Sequence, residues 1–157
     1  MLPEAHLRVA RATDRIDEVI HFYRDGLGFE VLSSFQDHAG FDGVMLGHRG
    51  AGYHLEFTHA RDASAGSAPT KENLLVFYLP DREVWRAAAE RMREAGYEPV
   101  PSANPYWDLH GVTFEDPDGY RVVLEKSPWT PWSAVPFSSA SITRRTICCS
   151  SRSQSLR

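Results

Sequence analysis

The chain has 157 residues, enough for one domain with a substantial core, and its 42% hydrophobic and 24% charged content is typical of a globular protein. All 21 acidic residues lie in 1–125, which carries a formal charge of about −9, whereas 126–157 carries about +5. An acidic body argues against nucleic acid as a partner, and the longest apolar run, at 74–79, is too short to cross a membrane.

The start of the chain has no secretion-signal pattern, and the adjacent cysteines Cys148 and Cys149 lack the spacing of a disulfide framework or a metal site. Together these features predict a cytoplasmic protein with no membrane partner.

The first predicted unit is a strand at 7–10, a helix, and three strands around 28–31, 43–47 and 52–57. Thr13 or Asp14 is the expected helix cap, and glycines at 26 and 28 are expected to end the helix. The helix is predicted from an apolar stripe at three- and four-residue spacing: Ile16, Val19, Ile20, Tyr23 and Leu27.

A linker rich in small residues, 60–71, separates this unit from a second one that repeats it at an offset of 67–68 residues. A strand at 74–79 precedes a helix capped by Asp81 and ended by Gly96, and strands follow around 96–99, 111–115 and 119–124. The stripe of this helix is Val84, Trp85, Ala88, Met92 and Ala95.

The repeat predicts an α+β fold: two tandem βαβββ modules, about 4–59 and 72–127, forming a curved antiparallel sheet around a concave cup. The two modules make one domain, 1–127. The tail, 128–157, is rich in serine and arginine and is expected to be poorly ordered, either as an interaction arm or as a dispensable extension.

Alternation along the strands predicts which side chains face the cup. Tyr53, Leu55 and Phe57 are expected to face the helices, as are Tyr120, Val122 and Leu124. The predicted cup residues are His6, Arg8, His54, Glu56, Tyr78, Arg121 and Glu125, with Tyr106, Trp107 and His110 on a neighbouring loop. Convergent polar groups in a concavity are typical of a ligand site, so we expect a small-molecule partner.

The cup residues admit more than one role. His6 is either a ligand or acid–base residue or a hydrogen-bonded strand histidine, and Glu56 either anchors a cationic ligand or forms an ion pair with Arg8 or Arg121. Tyr106 and Trp107 offer aromatic surface to a ligand or else pack the loop or a dimer contact. The acidic body favours a cationic or polar aromatic ligand.

Three segments in order, HFYRDGLGFEVL (21–32), HLEF (54–57) and FEDPDGYRVVLE (114–125), resemble the vicinal oxygen chelate superfamily. This superfamily includes glyoxalase I, extradiol dioxygenases and bleomycin-resistance proteins. The similarity spans about 4–127 and implies the same fold and a homodimer, without deciding between an enzyme and a binding protein.

Metal-dependent members carry four ligand positions, which the resemblance places on His6, Glu56, Leu74 and Val123. Two of the four are aliphatic, so the resemblance favours a bleomycin-resistance-like protein that binds a small amphipathic or aromatic molecule with no cofactor. The alternative is a glyoxalase-type lyase or isomerase, or an extradiol-type dioxygenase. It would use Ni, Zn, Fe or Mn, with Glu56 as the catalytic residue and His6, Glu56 and possibly Glu125 as metal ligands.

Overall fold

The computed structural model describes residues 5–130, and the tail beyond Thr130, with both cysteines, lies outside them. The order of elements follows the prediction for the first module and departs from it in the second. In chain order the elements are β1 (Leu7–Ala12), α1 (Ile16–Ile20), β2 (Glu30–His38), β3 (Phe41–Gly47), β4 (Tyr53–Ala60), β5 (Leu74–Tyr78), α2 (Arg82–Glu94), α3 (Tyr106–His110), β6 (Gly111–Glu115) and β7 (Arg121–Glu125). The fold is α+β, as predicted, but the strands form two open sheets in place of the one curved antiparallel sheet that was expected.

The first module forms a four-stranded sheet in the order β1-β4-β3-β2. Its β2–β3 and β3–β4 pairs are antiparallel, whereas β1 and β4 are parallel, with Arg8 opposite His54 and Ala10 opposite Glu56. The parallel pair was not anticipated from the sequence. It arises because a helix and a hairpin separate β1 from β4, so the chain returns in the same direction.

The second module has three strands in the order β5-β7-β6, again with its first and last strands parallel. The strand expected at 96–99 is absent. In its place one backbone bridge joins Val100 to Thr113, and the chain then forms the short helix α3.

The helices follow their predicted stripes with two differences. Asp81 caps α2 by accepting from the backbone N–H groups of residues 83 and 84, and Gly96, with φ of +89°, follows the end of α2. Val84 is 53% exposed rather than packed. α1 continues as a π-helical turn, His21–Gly26, which buries Phe22 and Tyr23 completely.

Strand parity is confirmed where it places side chains toward the helices. Leu55, Phe57, Val122 and Leu124 are all at most 2% exposed and join one apolar core with the helices. Leu7, at the start of β1, is 59% exposed and lies outside this core.

Polar contacts join the modules on the helix side. Arg91 of α2 donates to the carbonyl oxygens of Gly26 and Leu27 at 2.9 and 2.8 Å, and so satisfies carbonyls at the end of the π-helical turn. The buried Tyr23 hydroxyl donates to Asp116 Oδ2 at 2.9 Å, and burial raises the pKa of Asp116. Among residues 5–130, no helix is long and apolar enough to cross a membrane.

Candidate functional site

Four side chains form a hydrogen-bonded cluster on the face of the first sheet opposite the helices. We call this face the first cup face and define it by His6, Arg8, His54 and Glu56. Arg8 donates from Nε to His54 Nε2 at 2.8 Å and from a terminal nitrogen to Glu56 Oε2 at 3.1 Å. His6 Nε2 lies 2.6 Å from His54 Nδ1. Four of the predicted cup residues therefore meet, because the β1–β4 register sets Arg8 beside His54.

In this cluster the negative charge of Glu56 is balanced by the positive charge of Arg8, with which it forms an ion pair. The Glu56 side chain is 12% exposed and the Arg8 side chain 50%, so the carboxylate lies beneath the guanidinium. Partial burial, and after it the positive charge of Arg8, hold the pKa of His54 below its ordinary value. A neutral His54 suits the contact, because only an unprotonated Nε2 accepts from Arg8.

The equivalent face of the second sheet is closed. We call it the second cup face and define it by Thr113, Arg121, Val123 and Glu125, each at most 4% exposed. Arg121 donates twice to Glu115 Oε2, at 3.0 and 2.9 Å, and once to the carbonyl oxygen of Pro101 at 2.9 Å. Arg121 therefore does not pair with Glu56.

The segment between α2 and α3, residues 95–105, produces this closure, and we call it the covering segment. Ser102 Oγ lies 2.6 Å from Thr113 Oγ1, and Val100 bonds to the Thr113 backbone, so the segment runs along the edge of the sheet. α3 follows directly and leads into Gly111, where an added Cβ would lie 2.9 Å from the Trp107 carbonyl oxygen. The predicted loop residues Tyr106, Trp107 and His110 all belong to α3.

The remaining predicted cup residues lie near α3. Tyr78 is 36% exposed at the end of β5, and burial, then the nearby Tyr106 and Glu125, raise its pKa. Glu125 accepts from the backbone and hydroxyl of Ser127, and the His110 carbonyl accepts from the Lys126 N–H. Among residues 5–130, no hydrogen bond or ion pair joins this group to the first cup face.

The strand pairing in the structure aligns the first strands of the two modules differently from the repeat found in the sequence. Glu56 pairs with Met45 on β3, and Val123 pairs with Thr113 on β6, which are matching positions of the repeat. On the other side, Glu56 pairs with Ala10 and Val123 with Val76. The counterpart of Leu74 is therefore Arg8, two residues after the His6 inferred from the sequence.

This register bears directly on whether the residues fit a metal. With Leu74 and Val123 kept as the second-module ligand positions that the resemblance implies, their counterparts in the first module are Arg8 and Glu56. A guanidinium stays protonated and offers no lone pair, and the two aliphatic side chains have none. Within the described part of the chain, no three His, Cys, Asp or Glu side chains converge on a possible cation site. The donor set does not fit a catalytic divalent ion.

Comparison with known proteins gives the family. Residues 7–58 match the family model of the YycE-like N-terminal domain and residues 72–126 that of the YycE-like C-terminal domain. The chain is also 45% identical over 123 residues to the uncharacterized protein YycE of Bacillus subtilis, which covers 78% of this chain and 88% of that protein. The chain belongs to the YycE-like family.

Solved structures place this YycE-like chain in the vicinal oxygen chelate superfamily, which confirms the resemblance found in the sequence. A crystal structure of the B. subtilis YycE protein of unknown function is 43% identical, with a TM-score of 0.76, over 82% of this chain and 94% of that one. Glyoxalase I of Leishmania major is 20% identical with a TM-score of 0.59, over 78% of this chain and 86% of that one.

An antibiotic binding protein, TnmS3 of Streptomyces sp. CB03234, has the same fold. It is 20% identical with a TM-score of 0.53, over 77% of this chain and 94% of that one. At these identities, the likeness of the YycE-like chain to TnmS3 and to glyoxalase I shows the fold alone, which carries both an enzyme and a binding protein.

Sequence reasoning missed the residues that close the second cup face. Ser102 and Thr113 hold the covering segment, and Glu115 holds Arg121. None of the three is predicted as a site residue from the sequence. One signal was available: Arg121 and Glu115 flank the Asp118–Gly119 turn, so the hairpin places them opposite each other.

Proposed function

We propose that this YycE-like protein binds a small amphipathic or aromatic molecule at the first cup face without a catalytic metal. The observation that carries the proposal is the contact between Arg8 and Glu56. The guanidinium lies where a metal ligand would be needed and already neutralises the carboxylate.

The electrostatic argument is direct. A divalent cation at Glu56 would have to displace the Arg8 guanidinium, 3.1 Å from Oε2, and would then lie beside an uncompensated positive charge. Like charges at such separations disfavour each other strongly when partly buried. A small organic molecule instead uses the donors and acceptors that the cluster leaves free.

The difference in exposure between the two faces supports the same site. The second cup face is filled by its own covering segment, whereas the first carries exposed polar groups. Aromatic surface is exposed on β5 and α3, where Tyr78 and Tyr106 are 36% and 59% exposed. These aromatic rings suit the apolar part of an amphipathic ligand.

Metal analysis tests the metal-free half of the proposal. Protein purified without chelator from medium supplemented with Ni, Zn, Fe and Mn is expected to carry far less than one metal ion per chain. A near-stoichiometric ion that is lost in Glu56→Ala and kept in Glu30→Ala would contradict the proposal, since Glu30 is an exposed carboxylate paired with Arg49.

A thermal-shift screen of amphipathic and aromatic small molecules tests the binding half. A ligand at 100 times its Kd stabilises the folded state by about 2.7 kcal/mol, which is readily measured. The shift is expected to disappear in Arg8→Gln and to persist in Arg49→Gln, a matched change at an exposed arginine. A screen with no shift that depends on Arg8 would remove the proposed site.

A further inference from the structure

Hydrogen-bond direction determines which groups the first cup face presents. Arg8 Nε–H donates to His54 Nε2, so a neutral His54 carries its proton on Nδ1 and donates it to His6 Nε2. A neutral His6 must then keep its own proton on Nδ1. Arg8 uses two of its five N–H groups in these contacts, and the other three have no partner among residues 5–130.

Burial decides which charge an incoming molecule meets. The Glu56 side chain is 12% exposed and lies beneath Arg8, which is 50% exposed. A molecule approaching the face therefore contacts the guanidinium and the exposed His6 ring before the carboxylate. The overall negative charge of the body matters less here, because charges beyond the Debye length of about 8 Å are largely screened.

β4 of the first module and β5 of the second meet through an aromatic contact on the helix side. The rings of Tyr53 and Phe77 are 6.3 Å apart, with both residues packed against the core on the helix side. Because neighbouring side chains of a strand point to opposite faces, the next residues, His54 and Tyr78, face away from the helices at that level. Burial, and after it the nearby Tyr106 and Glu125, raise the pKa of Tyr78.

We infer that the ligand of the first cup face is a small aromatic acid. Its anionic oxygens accept hydrogen bonds from Arg8 and His6, and its ring packs on Tyr78 and Tyr106. Charge-assisted hydrogen bonds to a guanidinium are among the strongest in proteins, and aromatic rings supply apolar contact area. This inference rests on the proposed function and replaces the cationic ligand suggested by net charge.

Three probes of one shape test the inference on the full chain: 2-naphthoate, 2-naphthamide and 2-naphthylmethylamine. Titration calorimetry is expected to show the acid binding about tenfold tighter than the amide or the amine, since a charge-assisted bond exceeds a neutral one on that scale. Arg8→Gln is expected to remove the preference for the acid, and Arg49→Gln to leave it unchanged. Thermal melts confirm that both variants are folded.

Glu56→Gln gives a second, opposite signal. Removing the carboxylate leaves Arg8 uncompensated, so the acid is expected to bind more tightly than to the unmodified protein. Raising the salt concentration is expected to weaken binding of the acid and leave that of the amide unchanged.

The outcomes separate this inference from the proposed function. Equal affinity for acid and amide, tightest binding of the amine, absence of acid binding, or acid binding that survives Arg8→Gln would each overturn the inference. The proposed function is tested separately, by the metal content of the purified protein and by the wider thermal-shift screen. Tighter binding of the acid to Glu56→Gln would also show that the acid does not bind through a metal ion held by Glu56.

Discussion

The two cup faces are built from matching strands and have opposite characters. On the first, Arg8 is half exposed and contacts Glu56 and His54. On the second, Arg121 is 3% exposed and holds Glu115 and the Pro101 carbonyl. The difference comes from the segments between helix and third strand: β2 is a nine-residue strand, whereas the second module has a single bridge at Val100 followed by α3.

The comparison shows that strand parity sets the direction of a side chain but not its exposure. Residues 54, 56, 121 and 123 all point away from the helices, yet only the first pair stays accessible to solvent. A duplicated fold can thus keep one face open and bury the matching positions of the other, here beneath a segment that contacts Thr113 and Arg121. The following predictions test this division, from the largest expected effect to the smallest.

Replacing Arg121 tests whether the second cup face is structural. Arg121→Leu is expected to lower the free energy of unfolding by about 2–3 kcal/mol, because it leaves the Pro101 carbonyl and Glu115 without their donor. Urea denaturation measures the change. Arg8→Leu, the matched change on the open face, is expected to cost less than about 1 kcal/mol. Equal costs for the two variants would contradict the division.

Adding one methyl group at Gly111 tests the fit between α3 and the sheet. An added Cβ would lie 2.9 Å from the Trp107 carbonyl oxygen and 3.0 Å from that of Leu124, both of which are backbone atoms. Gly111→Ala is expected to destabilise the fold by about 2 kcal/mol, as overpacking does. Gly52→Ala is the control, since no atom lies within 4 Å of its added Cβ. A stable Gly111→Ala variant would show that α3 is not held against the sheet.

The hydrogen bond between Ser102 and Thr113 is expected to stabilise the covering segment by a smaller amount. Thr113→Val keeps the shape of a buried side chain and removes a 2.6 Å hydrogen bond to Ser102 Oγ. The expected cost is about 1 kcal/mol in the free energy of unfolding. Hydrogen exchange should locate the loss of protection at residues 100–110. Loss of protection in β1 or β4 instead would contradict the assignment.

The smallest effect concerns pH on the open face. The pKa of His54 lies below its ordinary value in the folded state, so below about pH 6.5 the unfolded chain binds the proton first and stability falls with pH. The stability contributed by neutral His54 is complete above about pH 6.5 and is lost as the pH falls below that value. In thermal melts between pH 7 and pH 5, His54→Gln is expected to lose stability less steeply than the unmodified protein. His38→Gln, at an exposed position, serves as the control, and an unchanged slope in His54→Gln would refute the prediction.

The sequence by itself determined much of the framework of this protein. Alternation placed Leu55 and Phe57 in the core and Glu56 on the opposite face, and local chemistry capped α2 at Asp81. These features depend on neighbouring residues, so a single sequence carries them. The doubled motif likewise sufficed to identify the superfamily.

Tertiary structure decided how the site is composed. The pairing of β1 with β4 joins Arg8 to residues 46 and 48 positions away, and this pairing, not the spacing along the chain, made Arg8 rather than His6 the counterpart of Leu74. The closure of the second cup face also depends on contacts across the module, including the Arg121 contact with Pro101. The strand register and the burial of the second cup face depend on the free energy of packing segments that are distant in the chain. A local pattern of residues does not determine that free energy.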